Sequence, residues 1–138
     1  MNKQFWVNLP VKNITRSKEF FGRLGFSFNP NLVDSEESAC LIVGDNKVVV
    51  MLFVESTFTK AARNGIADAK QATEVLLSID AETRQEVDDM ARKAIEAGGT
   101  VFGQPAEIQG WMYGCGFADP DGHRWNVLFR DMSKLPKK

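Results

Sequence analysis

The chain has 138 residues, of which 43% are apolar and 25% charged, and its net charge is −1. This length suits one domain or two small, closely packed modules, and the balanced charge gives no reason to expect nucleic acid or an anionic membrane as a partner. The N-terminus lacks the apolar core of a signal peptide, no segment reaches transmembrane length, and Cys40 and Cys115 form no CxxC pair, so we expect a cytoplasmic protein with reduced thiols.

The first part of the chain predicts a strand, a helix and three further strands. Asn13 is a suitable N-cap, apolar residues then recur on one side of a helix, and Gly25 ends it. A polar loop around Asp34 separates the second predicted strand from the third. The predicted strands are Phe5–Val11, Phe26–Asn29, Ser38–Val43 and Lys47–Val54.

The second part of the chain predicts the same order of elements. Thr83 and Glu86 have the spacing of a capping box, in which each side chain satisfies a free backbone amide at the helix start. The helix that follows has one apolar face, which we expect to pack on the sheet and which comprises Val87, Met90, Ala91, Ala94 and Ile95. The predicted strands are Glu74–Ile79, Thr100–Phe102, Met112–Phe117 and His123–Phe129.

The repeated order β-α-β-β-β indicates two duplicated modules. We place the first module at 1–54, a polar linker with room for a helical turn at 55–72, the second module at 73–131 and a frayed tail at 132–138. In the second module, Asp119-Pro120-Asp121-Gly122 joins two apolar strands and predicts a β-hairpin, because proline sets the bend and Asp-Gly favours the left-handed turn.

Several short motifs together resemble the vicinal-oxygen-chelate superfamily, which groups glyoxalase I, extradiol dioxygenases and bleomycin-resistance proteins. The matching segments are Asn8–Val11, Leu24–Phe26, Phe28–Pro30, Thr73–Leu77 and Asp121–Trp125. Within the superfamily the pattern is similar to that of uncharacterised bacterial glyoxalase-like proteins, named as predicted lactoylglutathione lyases. The resemblance implies an α+β fold in which two βαβββ modules form a curled, cup-like mixed sheet with helices on the outer faces.

The resemblance also indicates where metal-dependent relatives place their ligands, and this chain departs from that pattern. The expected positions hold Trp6, a residue of the apolar strand Val48–Leu52, Glu74 and Asn126, where relatives often have glutamate. Either register of the apolar strand offers nothing better than a thioether. His123 is the only histidine and lies at the hairpin turn, where a solvent-exposed role is the alternative to a lone ligand. Because one carboxylate does not make a metal site, we expect no metal and no other cofactor.

The same positions provide a set of candidate ligand-binding residues. Glu74 is either a solvated or paired carboxylate or a base with a raised pKa, and Cys115 is a buried inert thiol rather than an activated nucleophile. The aromatic and glycine residues of 110–116 either line the cup or pack in the core. The candidates are Trp6, Asn8, Phe53, Glu74, Leu76, Trp111, Tyr113, Cys115, Asn126 and Leu128.

Three functions are compatible with these features. The first is a metal-free binding protein, similar to the bleomycin-resistance relatives, which holds a small molecule of unknown identity. The second is a lyase, isomerase or dioxygenase of the glyoxalase type, and the third is an interaction module without a small ligand. We expect the first, and we expect a homodimer, because superfamily cups are completed by paired modules and open sheet edges are safer when covered.

Overall fold

The computed structural model describes residues 3–32 and 35–136. Asp34 of the predicted loop and the end of the predicted tail, residues 137–138, lie outside the described residues. The chain divides into two compact units, Met1–Asp68 and Ala69–Lys138. Each unit contains its own four-stranded sheet, and neither sheet closes into a barrel.

The first unit is a mixed sheet in the order β1-β4-β3-β2 with a helix against one face. Strand β1 runs parallel to β4, whereas the β4–β3 and β3–β2 pairs are antiparallel. Its elements are β1 (Val7–Val11), α1 (Ile14–Arg23), β2 (Ser27–Phe28), β3 (Ser38–Val43), β4 (Val48–Val54) and α2 (Glu55–Ala62).

Helix α1 begins and ends where the sequence predicts. The Asn13 side chain accepts a hydrogen bond from the Arg16 amide at 2.9 Å, and the helix gives way after Leu24 to Gly25, whose φ is 96°. Its buried side contains Phe20 and Phe21, whose rings meet edge to face at 5.1 Å. The apolar periodicity therefore placed the correct side of this helix on the sheet.

Helix α2 occupies the first eight residues of the segment that the sequence presents as a linker. It follows β4 without a break and ends at Arg63, which has a left-handed φ of 56°. None of its residues is buried, although it contacts β1 and β4. This helix has no counterpart in the repeated β-α-β-β-β order.

The second unit repeats the topology of the first, with the sheet order β5-β8-β7-β6. Strand β5 is parallel to β8, and the other neighbouring pairs are antiparallel. Its elements are β5 (Leu76–Ala81), α3 (Arg84–Glu96), β6 (Thr100–Ile108), β7 (Met112–Ala118) and β8 (Arg124–Arg130), followed by a short 3-10 helix at Met132–Lys134.

Helix α3 confirms the predicted cap and corrects the predicted packing. Thr83 accepts from the Glu86 amide at 3.0 Å, and the Glu86 carboxylate accepts from the amide of Glu82 at 2.9 Å. The prediction that Ile95 packs on the sheet is wrong, because its side chain is 57% exposed. The buried residues Val87, Ala91 and Ala94 recur at steps of four and three, and Ile95 lies about 100° further around the helix.

The hairpin between β7 and β8 forms as predicted and is fastened by Asp119, which is 5% exposed. One carboxylate oxygen accepts from the amides of Asp121 and His123, both at 3.0 Å, and the other accepts from the indole Nε1 of Trp125 at 3.3 Å. Burial raises the pKa of Asp119, while the charge of His123 and the Trp125 hydrogen bond act in the opposite direction. Gly122 adopts a φ of 91° in the turn, and a β-carbon there would lie 2.9 Å from the Lys70 amide nitrogen and 3.0 Å from the Ala69 carbonyl carbon, too close for a side chain.

These observations confirm the α+β class and the two βαβββ modules. Trp125 and Val127 of β8 are each 1% exposed and belong to the core of the second unit. Within the described ranges, no helix combines the length and apolar character needed to cross a bilayer.

Candidate ligand-binding face

The two faces of the second sheet differ in what covers them. Helix α3 covers the face containing Trp125 and Val127, and the Cys115 sulfur on that face lies 3.6 Å from the Val87 carbonyl oxygen. No helix of the same unit covers the opposite side among the described residues, and we call it the open face. By strand alternation and register, and by the contact of Phe102 with Gly116, the open face contains Leu76, Ser78, Asp80, Phe102, Met112, Gly114, Gly116, Ala118, Arg124, Asn126, Leu128 and Arg130.

The outer end of the Phe102 ring contacts the strand at Gly116. A β-carbon added to Gly116 would be 2.4 Å from two ring carbons of Phe102, which is closer than real contacts allow. Phe102 sits at a register shift in β6, between Val101 and Gly103, and remains 41% exposed. The open face therefore contains a partly exposed aromatic ring that packs against a glycine of the neighbouring strand.

Leu128 occupies the space above Gly114, the other glycine of β7 on the open face, in the same way. A β-carbon on Gly114 would lie 2.6 Å from Cδ2 of Leu128 and 2.8 Å from the carbonyl oxygen of Val127. The alternation of glycines and bulky residues in β7 thus makes room for the protein's own side chains. The glycines of β7 therefore shape the open face by leaving room for Phe102 and Leu128.

Polar groups stand beside the Phe102 ring. Asn126 is the direct cross-strand neighbour of Gly116 on one side and of Ser78 on the other. Its amide is half-buried, whereas Ser78 is exposed and Leu76 is 50% exposed. An amide and a hydroxyl between apolar side chains can orient a small molecule through hydrogen bonds.

Arg124 completes the open face at one end. Its guanidinium carbon lies 4.3 Å from the centroid of the Phe102 ring, a stacked cation–π arrangement. Arg130, at the other end of β8 on the same face, is instead 3.9 Å from the carboxylate of Asp80. The two arginines of this face therefore have different electrostatic surroundings.

Two of the predicted ligand-binding residues lie on the other side of the sheet. Tyr113 donates a hydrogen bond to Asp88 at 2.7 Å, and Arg84 lies 4.9 Å above its ring while pairing with Glu107. The hydrogen bond to Asp88 raises the pKa of Tyr113, and burial raises the pKa of the Cys115 thiol to about 11. The structure separates both residues from Asn126 and Leu128, because adjacent residues of β7 point to opposite faces.

Trp111 and Glu74 lie outside the strands of the second sheet. Trp111 is half-buried in the turn before β7, where its amide donates to the Ile108 carbonyl and its own carbonyl accepts from the Asp131 amide. Glu74 is exposed and precedes the start of β5 by two residues, whereas the sequence predicts a strand from this residue. Neither residue belongs to the open face as defined by the strands.

The remaining predicted residues belong to the first unit. Asn8 pairs with Met51, and Phe53 pairs with Pro10, so both lie on the sheet face away from α1. Asn8 is exposed and Phe53 is half-buried. Trp6 directly precedes β1 and is 50% exposed. The first unit thus brings Asn8 and Phe53 onto one face, with Trp6 at its edge.

The potential for metal binding follows from the side chains at hand. Among residues 3–32 and 35–136, no three histidine, cysteine, aspartate or glutamate side chains are grouped so that they could hold an ion. Asn126 offers a neutral amide at the position where the resemblance places a carboxylate. The open face is therefore suited to hydrogen bonding, stacking and apolar contact.

Sequence reasoning missed Phe102 and Arg124 as members of this face. Strand alternation from Asn126 leads directly to Arg124, two residues earlier. Phe102 had no comparable signal, because its direction depends on the register shift in β6.

Comparison with known proteins agrees with this architecture. The family model for the bleomycin resistance protein-like N-terminal region matches residues 3–44. A hypothetical protein from S. aureus is 31% identical, with a TM-score of 0.82 and 94% of each chain covered. No curated protein matches the chain.

Two structures with lower identity share the fold. A glyoxalase/bleomycin resistance protein/dioxygenase family enzyme from Burkholderia phytofirmans is 20% identical, with a TM-score of 0.76, and the match covers 91% of this chain and 96% of that one. A glyoxalase-related enzyme from Fulvimarina pelagi is 16% identical, with a TM-score of 0.78, and the match covers 94% of this chain and 89% of that one.

Proposed function

The chain belongs to the vicinal-oxygen-chelate superfamily of glyoxalases, bleomycin-resistance proteins and dioxygenases, and on this premise we propose that it is a small-molecule-binding protein without a complete metal site. The open face of the second sheet is the proposed binding surface. The observation that supports it is the Phe102 ring, 41% exposed and lying on Gly116 beside the Asn126 amide. An exposed aromatic ring with adjacent hydrogen-bonding groups is a typical arrangement for a partly apolar ligand.

A metal-free mode of binding fits the side chains better than Lewis-acid chemistry. Asn126 supplies an amide that donates and accepts hydrogen bonds but does not neutralise a divalent cation. Ser78 and Leu76, on the neighbouring strand, add one hydroxyl and one exposed apolar side chain. The face can hold a molecule by stacking and hydrogen bonding, which are the interactions that we propose.

The proposal is tested with the neutral fluorescent probe N-phenyl-1-naphthylamine. We expect saturable binding, and Phe102→Ala should weaken it because the aromatic contact is lost. Ile95→Ala is the matched control, since it truncates an exposed apolar side chain on α3, away from the open face. Equal binding by wild type and Phe102→Ala, or equal weakening by both variants, would contradict the assignment of the open face.

We further propose that the protein is a cytoplasmic homodimer. Strand β5 is an end strand of its sheet, and Val75, directly before it, is 54% exposed. Apolar residues on a sheet edge favour covering by another chain. Light scattering should give twice the mass of one chain, and a monomer at every concentration would exclude the dimer.

A further inference from the structure

The guanidinium of Arg124 is held in place without a counter-charge. Its two cross-strand neighbours are Leu76 and Ala118, and its stacking partner is Phe102, so apolar groups surround its base. Among the described residues, no carboxylate lies within ion-pair distance of it. Stacking uses one flat side of the guanidinium group, whereas its N–H groups point outward in the plane of the group. These N–H groups can therefore donate hydrogen bonds to a ligand.

Arg130 on the same face provides an internal comparison. Its guanidinium lies 3.9 Å from the Asp80 carboxylate, and its side chain is 52% exposed. Arg124 is half-buried and is stacked on a ring instead. Partial burial strengthens the attraction between Arg124 and an incoming anion, because less water screens the charge.

Asn126 lies two residues beyond Arg124 on the same face of β8. A separation of two strand residues corresponds to about 6.5 Å along the strand, which is within the span of a small ring compound. Gly116 lies beside Asn126, and its missing side chain leaves room for the Phe102 ring. The three side chains thus combine a cationic edge, an aromatic surface and a neutral amide within one small area.

We infer that Arg124, Phe102 and Asn126 form an anion-selective subsite, and that the ligand is a flat, partly apolar molecule with a carboxylate or similar anionic group. The anionic group pairs with the free N–H edge of Arg124, and the flat part lies against Phe102 near Asn126. This inference rests on the proposed function, since it names the chemical class that the open face accepts. The guanidinium fork suits a planar carboxylate because two parallel hydrogen bonds form.

Two fluorescent probes that share the same anilinonaphthalene ring system, one anionic and one neutral, test the subsite. The compound 8-anilino-1-naphthalenesulfonate differs from N-phenyl-1-naphthylamine by its sulfonate. Arg124→Gln should weaken sulfonate binding by about tenfold, as expected for loss of one hydrogen bond to a charged group, and change neutral-probe binding by less than about twofold. The sulfonate affinity of the wild type should fall with rising salt, and that of Arg124→Gln should depend on salt much less.

Arg92→Gln is the matched control, because it removes one positive charge from α3, where Arg92 pairs with Asp89. Its sulfonate affinity should equal that of the wild type, and circular dichroism should show that both variants are folded. An unchanged sulfonate affinity in Arg124→Gln, or an equal loss in Arg92→Gln, would overturn the subsite while leaving neutral-probe binding and the proposed function intact. Failure of the wild type to bind either probe would overturn both.

Discussion

Removal of the Asp119 carboxylate should destabilise the second unit severely. In Asp119→Ala, the amides of Asp121 and His123 and the indole N–H of Trp125 lose their acceptor together. The two amides are partly buried and should each cost about 1 kcal/mol, and the indole of Trp125, on a residue that is 1% exposed, should cost about 1–3 kcal/mol. The free energy of unfolding should therefore fall by about 3–5 kcal/mol.

Asp119→Asn separates the contributions of the two carboxylate oxygens. The amide oxygen can still accept from the amides of Asp121 and His123, but its NH₂ group then faces the Trp125 N–H, so one donor stays unsatisfied. We expect a loss of about 1–3 kcal/mol, smaller than that of the alanine variant. Asp89→Ala is the control, because the hydrogen bonds that this carboxylate accepts from Gln85 and Arg92 are exposed, and its loss should lower stability by less than about 1 kcal/mol.

The assay is urea unfolding followed by circular dichroism and tryptophan fluorescence. Two signals are needed because the chain has two compact units, and separate transitions would show that the units unfold independently. A loss below about 1 kcal/mol in Asp119→Ala, or one equal to that of Asp89→Ala, would refute the view that this carboxylate fastens the hairpin.

Three further predictions concern metal content, strand packing and thiol ionisation. Protein purified without a metal-chelating column should contain less than about a tenth of an equivalent of transition metal, because a stable site needs three or four ligands; mass spectrometry giving near-stoichiometric metal would contradict this. Gly114→Ala should cost about 1–3 kcal/mol in urea unfolding because its β-carbon meets Leu128 and a backbone oxygen, whereas Gly103→Ala, with its nearest contact at 3.6 Å, should change stability by less than about 1 kcal/mol. Burial raises the pKa of the Cys115 thiol to about 11, whereas a thiol in the unfolded chain has a pKa of about 8.5. Because only the unfolded chain loses the thiol proton between these two values, the free energy of unfolding should fall as the pH rises from about 8.5 to about 11. Cys115→Ala should reduce this alkaline loss, and an unchanged pH profile would refute the assignment.

Short-range signals determined much of the fold from the sequence alone. The Asn13 and Thr83 caps and the Asp119–Gly122 turn were predictable because a few neighbouring residues satisfy their own backbone groups. The repeated order of helices and strands followed from apolar periodicity. These features require no knowledge of distant contacts, and the structure confirms them.

The membership of the candidate face depended on tertiary structure. Asn126 and Leu128 fell on one face by alternation along β8, but the positions of Tyr113 and Cys115 relative to them required the register between β7 and β8. The direction of Phe102 required the shift in β6, and the exposure of Ile95 required the position of α3 over its sheet. Local sequence specifies which residues alternate or recur, whereas register and helix placement arise from packing between segments far apart in the chain, and these decide which side chains meet.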